Sequence, residues 1–124
     1  MADGAGTGTG AVVVVSTTDT AEEADRLARG LVAARLAACV QIVGPIRSVF
    51  RWDPPGDDGA ADAIQVEQEW QLVVKTAADR VDDLTRHLVA AHSYDVPEVV
   101  AVPVSGGHGP YLQWVVEETR HPTS

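Results

Sequence analysis

Cysteine is almost missing from this chain: Cys39 is the only one in 124 residues. An intrachain disulfide is therefore excluded, as is a cysteine-built zinc cage. Nothing in the composition demands an oxidising compartment. Positive charge is also scarce. Nine Lys and Arg stand against 18 Asp and Glu, giving a formal net charge of −9 and a pI near 4.6. Such a surface repels a phosphate backbone, so no nucleic-acid partner is expected. Long apolar runs are lacking as well. A run such as Ala11 to Val15 is far too short to span a bilayer, and no membrane association is expected. The opening MADGAGTGTG has neither a basic nor an apolar segment, so it reads as a flexible leader over residues 1–10 rather than a secretory signal. The expected setting is cytoplasmic.

What is present suffices for one domain. The hydrophobic share is 45%, enough for a core in a chain of this length. AVVVVS at Ala11 to Ser16 is a β-branched apolar run and predicts a buried first strand. Thr20 followed by Glu23 fits a capping box, and Ala24, Leu27, Leu31, Ala34 and Ala38 recur at helical spacing, so a helix is expected from about Ala21 to Leu36. A period of two then returns. Ile46, Ser48, Phe50 and Trp52 share one face of a second strand, which Gly44-Pro45 should bend or bulge because proline has no N–H for the ladder. Residues Ile64 to Thr76 alternate again and predict a third strand, with Glu67 and Glu69 set to oppose Arg47 and Arg51 across a long antiparallel hairpin. The tip, residues 53–62, is acidic breaker composition and reads as a mobile loop.

Val81, Leu84, Leu88 and Ala91 form the stripe of a second helix. VPEVVAVPVS predicts a fourth strand at an edge, since it holds Pro97 and Pro103. A short closing helix carries Tyr111, Trp114 and Val115 on one side, with Pro110 at its first turn. The order βαββαβ with right-handed crossovers predicts a ferredoxin-like α+β sheet with two helices on one face and an additional C-terminal helix. The domain is expected over residues 11–118, with a tail over 119–124. The hairpin is longer than two short helices can cover, and the last helix keeps an apolar stripe. Both features point to an oligomer in which hairpins extend a neighbour's sheet.

Several separated motifs stand in order: LAACV at Leu36 to Val40, Ser48-x-Phe50-x-Trp52, Glu69 in the strand ending at Lys75-Thr76, His92-x-Tyr94-x-x-Pro97-Glu98, and Tyr111-Leu112-x-Trp114. With them, residues 11–118 resemble the CutA divalent-cation-tolerance proteins. The resemblance implies a tightly packed homotrimer, related in architecture to PII signalling proteins, linked to tolerance of copper and other divalent metals by binding rather than catalysis. It also implies an intersubunit cleft built from Lys75, His92, Tyr94, Glu98, Trp52, Glu67 and Glu69. The chain departs from the family's pattern at Gln41, Phe50 and Ser93. Ser16 and Ala91 stand where some members carry a cysteine and a second histidine as copper ligands. His92 is then the one candidate metal ligand left of that set. No cofactor is required, though copper or another divalent cation is a candidate ligand.

Against these roles stand plainer ones. A histidine ending a helix serves the helix dipole, Pro97 fixes a turn, Glu98 pairs with a basic residue, and Cys39 is a core thiol with nothing to lower its pKa. Trp52, Trp70 and Trp114 are expected core and interface anchors. Enzymatic chemistry is not expected. There is no nucleophile-elbow triad and no His-Glu-x-x-His, and Asp95 and Glu98 lie on one loop with nothing to split their pKa values. The competing reading is a PII-like sensor or scaffold whose cleft takes a small anion through Lys75.

Overall fold

A computed structural model describes residues 8–52 and 63–120. The chain runs β1 (Ala11–Thr18), α1 (Ala21–Ala33), β2 (Cys39–Arg51), β3 (Ile64–Ala77), a single 3-10 turn (Ala78–Arg80), α2 (Val81–Ala91), β4 (Val100–Pro103) and α3 (Gly109–Glu118). The strands form one antiparallel sheet in the order β2-β3-β1-β4. The mixed α+β architecture, with four strands and three helices among the described residues, is the one the periodicities predict. The expectation for the tip at 53–62 lies outside the described residues.

Alternation along the strands divides the sheet into two faces. Val12, Val14, Leu72 and Val74 meet Ala24, Leu27 and Leu31 of α1 and Leu84 and Leu88 of α2 to make the core. Each fully buried aliphatic side chain there contributes about 1.5–3 kcal/mol. The other face carries α3. Val115 of that helix is fully buried outside the main core, and the Tyr111 hydroxyl lies 4.0 Å from Cys39 Sγ. Cys39 pairs with Lys75 and so faces away from its core-facing neighbours Val40 and Val74. The expected apolar stripe of α3 is thus divided: Val115 is satisfied within the chain, while Tyr111 and Trp114 remain exposed.

The helix α1 starts as predicted, with Thr20 Oγ1 accepting from Glu23 N–H at 3.0 Å. It stops three residues short of the expected Leu36. Arg35 turns into the left-handed region at φ 58, Arg35 N–H reaches Val32 O, and Leu36 N–H reaches Leu31 O. That is a Schellman closure, with Leu31 and Leu36 both packed in the core beneath it. A left-handed arginine carries a steric penalty that glycine avoids. Its pairing with Glu118 is half-exposed and adds little. Arg35→Gly is expected to raise unfolding free energy by about 0.5–1 kcal/mol, read as a higher urea midpoint at unchanged slope. A lower midpoint would show that the ion pair outweighs the strain.

The bulge falls where proline demanded it. The β2–β3 register shifts between Val43 and Ile46, across Gly44-Pro45. The indole of Trp70 covers Gly44 so closely that an added Cβ would sit 2.2 Å from Trp70 Cδ1. This shift overturns one cross-strand expectation. Glu67 faces Ser48 and Glu69 faces Ile46, whereas Arg47 pairs with Gln68 and Arg51 with Ile64. The arginines are therefore on the opposite face of the hairpin from both glutamates, because the extra residues at the bulge change the parity of every pair beyond it.

Order extends past both expected domain limits. Thr9 Oγ1 donates to Val104 O at 2.7 Å, which ties the end of the leader to β4's exit. Beyond 118, Thr119 is buried and Arg120 grips Asp79 at 2.6 and 2.8 Å. Since β1 ends at Thr18 opposite Trp70, β3 from Ile64 to Glu69 pairs with β2 alone. This projecting hairpin leaves Val49, Ile64 and Val66 exposed.

Candidate functional site

The site forms where β1 stops and the hairpin goes on. Helix α2 ends at His92, whose backbone turns extended (φ −77, ψ 147) and swings the chain over the end of β1. The His92 side chain is fully enclosed. Its Nδ1 accepts from Tyr94 N–H at 3.0 Å, so the ring proton sits on Nε2, which donates to Thr17 O at 2.8 Å. The imidazole thereby braces β1 against the loop. It also lies against the Tyr94 ring, with centroids 4.7 Å apart. Glu23 secures the same loop by accepting from Ser93 N–H at 2.9 Å. Burial works against the Glu23 carboxylate, but the hydrogen bonds from Ser93 together with smaller favourable contributions from neighbouring groups outweigh it and hold the carboxylate below its usual range. Only half of the expected capping box is therefore made: Glu23 reaches across to Ser93 instead of back to its own helix start.

This bracing aims Tyr94 at β3. Its hydroxyl donates to Glu69 Oε2 at 2.8 Å. Burial raises the phenol's pKa, and the neighbouring negative charges of Glu69, Asp19 and Glu23 raise it further, so the hydroxyl stays protonated and remains a donor. Glu69 is itself only 8% exposed. In front of the pair opens a cleft of about 370 Å³, walled by Asp19, Glu67 and Glu69 and by Phe50, Trp52 and Tyr94. Among the described residues, none that lines it is basic.

Of the expected cleft residues, one chain brings together Trp52, Glu67, Glu69 and Tyr94. His92 stands directly behind them as a support. Lys75 does not join them: it donates to Gln41 Oε1 at 3.0 Å, six residues along β3 from Glu69, or roughly 20 Å at strand rise. Among the described residues, Glu98 pairs with no basic side chain. It accepts from Thr17 Oγ1 at 3.3 Å.

A metal at His92 would have to displace one of the two bonds its ring nitrogens already make, and among the described residues no three His, Cys, Asp or Glu side chains converge on one ion. Ser16, at the family's cysteine position, is fully buried, with its Oγ unpartnered. Cys39 is half-buried beside Tyr111 rather than sealed in the core.

Sequence reasoning missed Asp19 and Phe50 as walls of the cleft. Phe50 was legible, since it shares strand parity with Trp52. Asp19 carried no signal beyond preceding a helix cap.

Comparison with known proteins agrees in one direction. The family profile described as CutA1 divalent ion tolerance protein matches residues 12–118. The chain is 40% identical over 109 residues to "Protein CutA 1, chloroplastic" of rice, covering 88% of this chain and 57% of that one. It is 38% identical over 107 residues to the "Divalent-cation tolerance protein CutA" of Thermus thermophilus, covering 86% of this chain and 96% of that one. It thus spans a little over half the length of its plant relatives. Among solved structures, CutA1 from Oryza sativa superposes with a TM-score of 0.80 at 40% identity, over 92% of this chain and 97% of that one. CutA from Xylella fastidiosa also gives 0.80, at 36% identity, over 90% and 99%.

Proposed function

The chain belongs to the CutA1 divalent ion tolerance family, and on that premise we propose that it acts in divalent-cation tolerance by binding, not catalysis, as a cytoplasmic homotrimer of ferredoxin-like domains. Among the described residues no helix is long and apolar enough to cross a membrane. The exposed apolar side chains of the projecting hairpin and of β4 (Val49, Val66, Val100, Val102) support assembly with further copies. The observation that carries the cation reading is the lining of the cleft. Among the described residues, three carboxylates and no basic side chain line it, and a neutral Tyr94 hydroxyl holds Glu69 in place. A divalent ion, copper included, would be drawn there by Glu67, Glu69 and Asp19. These are oxygen donors, which favour harder cations over copper. Because they do not converge on one point within a chain, the ion would keep part of its water shell or share donors between subunits. The PII-like alternative needs an anion at Lys75, and Lys75 is engaged with Gln41 away from this cleft.

Native mass spectrometry of metal-stripped protein, before and after Cu(II) or Mn(II), tests both parts. A trimer is expected, with metal affinity falling about tenfold in the Glu67→Gln/Glu69→Gln double variant as two charges leave the site. A panel of nucleotides should leave the spectrum unchanged. Uptake indifferent to both glutamates would remove the cleft from the account, and nucleotide binding abolished by Lys75→Ala would replace it with the anion reading.

A further inference from the structure

The cleft has a second chemical feature that a site for bare metal ions does not need: three of its eight lining residues, Phe50, Trp52 and Tyr94, are aromatic. Phe50 near the end of β2 and Trp52 just past it share the strand's parity, and both are exposed and line the cleft, Trp52 at 51% and Phe50 at 38%. Register arranges the walls along the hairpin. Glu69 lies opposite Ile46 and Glu67 opposite Ser48. Phe50 lies opposite Gln65, and Trp52 N–H bonds Ala63 O at the far end. Acid is thus concentrated at the Tyr94 end and aromatic surface at the other. The Glu67 and Phe50 levels are two residues apart, or about 7 Å.

Glu69 is a buried carboxylate whose partner there, the Tyr94 hydroxyl, is neutral, so its charge is not compensated within the cleft. A ligand that matches this gradient carries a positive charge at one end and an apolar body at the other. A cationic head gains from the carboxylates and from the π faces alike, and the body covers aromatic surface that would otherwise face water.

We propose that the cleft binds an organic ammonium compound, specifically a primary amine bearing an aromatic or apolar body, with its head at Glu67 and Glu69 and its body against Phe50 and Trp52. This inference rests on reading the same cleft as a cation site, but it does not require a metal to bind there.

The test uses the full chain, with phenethylamine as the probe and Trp fluorescence as the readout, since Trp52 lines the cleft. Two companions bracket the probe: 3-phenylpropionate keeps the body and reverses the charge, while methylamine keeps the charge and lacks the body. Saturable binding of phenethylamine is expected, with each companion weaker by about tenfold or more. Glu67→Gln and Phe50→Ala, both substitutions of exposed side chains that leave Trp52 in place as reporter, should each weaken phenethylamine by about tenfold. The companions report on the unaltered chain, so a misfolded variant does not decide the outcome. Equal binding of phenylpropionate would overturn the proposal, as would equal binding of methylamine. Glutamate-dependent metal uptake with no phenethylamine binding would overturn it while leaving the metal reading intact. Phenethylamine binding without metal uptake would uphold it and remove the metal reading.

Discussion

His92→Ala is expected to lower the stability of the folded chain by about 3 kcal/mol, through two orphaned partners and a cavity. The ring is completely enclosed, so its loss leaves a void that the surrounding strands can fill only in part. Thr17 O loses its donor and Tyr94 N–H its acceptor, both at the edge of the core. Urea denaturation followed by circular dichroism measures the change. His92→Gln separates the causes, because an amide can restore a donor towards Thr17 but cannot also accept from Tyr94 in the imidazole's geometry. It should recover about 1 kcal/mol, the worth of one hydrogen bond. A loss below about 1 kcal/mol in the alanine variant would mean that the ring is not the brace between β1 and the loop, and that Tyr94 is aimed by something else. The result bears on the site as well as on stability, since the Tyr94–Glu69 contact is downstream of this brace.

The second large effect is expected at Gly44. A methyl group there would lie 2.2 Å from Trp70 Cδ1 and 2.7 Å from Cγ, well inside contact distance. Trp70 cannot simply swing away, because it is packed against the core cluster between α1 and the sheet. Gly44→Ala should therefore cost about 2–3 kcal/mol, as overpacking of a closed site does. The indole is the named cause, so the penalty should shrink when the indole is shortened. In a Trp70→Leu background the same substitution should cost about 1 kcal/mol or less, a coupling of at least ~1 kcal/mol between contacting sites. Additive effects in that double-mutant cycle would locate the requirement for glycine in the backbone of the bulge instead.

Much of this was legible because the relevant signals are local. The two-residue alternation from Ile64 onward marked β3, the spacing of Val81, Leu84 and Leu88 marked α2, and Thr20 marked the start of α1. The ordered motifs from LAACV to Tyr111-Leu112-x-Trp114 pointed to the family. Features that depend on distant or unusual geometry were not legible. The end of α1 was hidden because Arg35, rather than glycine, takes the left-handed turn. The partners of Glu67 and Glu69 were misassigned because alternation reveals which residues share a face of one strand, but not how a bulge offsets that strand from its neighbour. Glu98 was expected to find a basic residue, yet Thr17 lies closer, 81 positions away in the chain. Lys75 and Glu69 stand close in sequence, but an extended strand sets them too far apart to share one ligand within the chain.

The differing strand lengths also imply an order of events in folding. The β2–β3 ladder closes a short connection, so its pairs form early and at low entropic cost. The pairs that seat β1 between β3 and β4 join residues from nearly opposite ends of the chain, such as Val12 with Pro103, and such contacts come late. The brace from His92 to Thr17 spans 75 positions and belongs to this late group. The short, exposed edge strand β4 should also detach easily. The aromatic end of the cleft is thus built on the fast-forming hairpin, while Tyr94 arrives with the last segment to dock. In native-state amide exchange, the Tyr94 loop should open well before the hairpin beneath it, so that half of the cleft comes and goes while the other half persists.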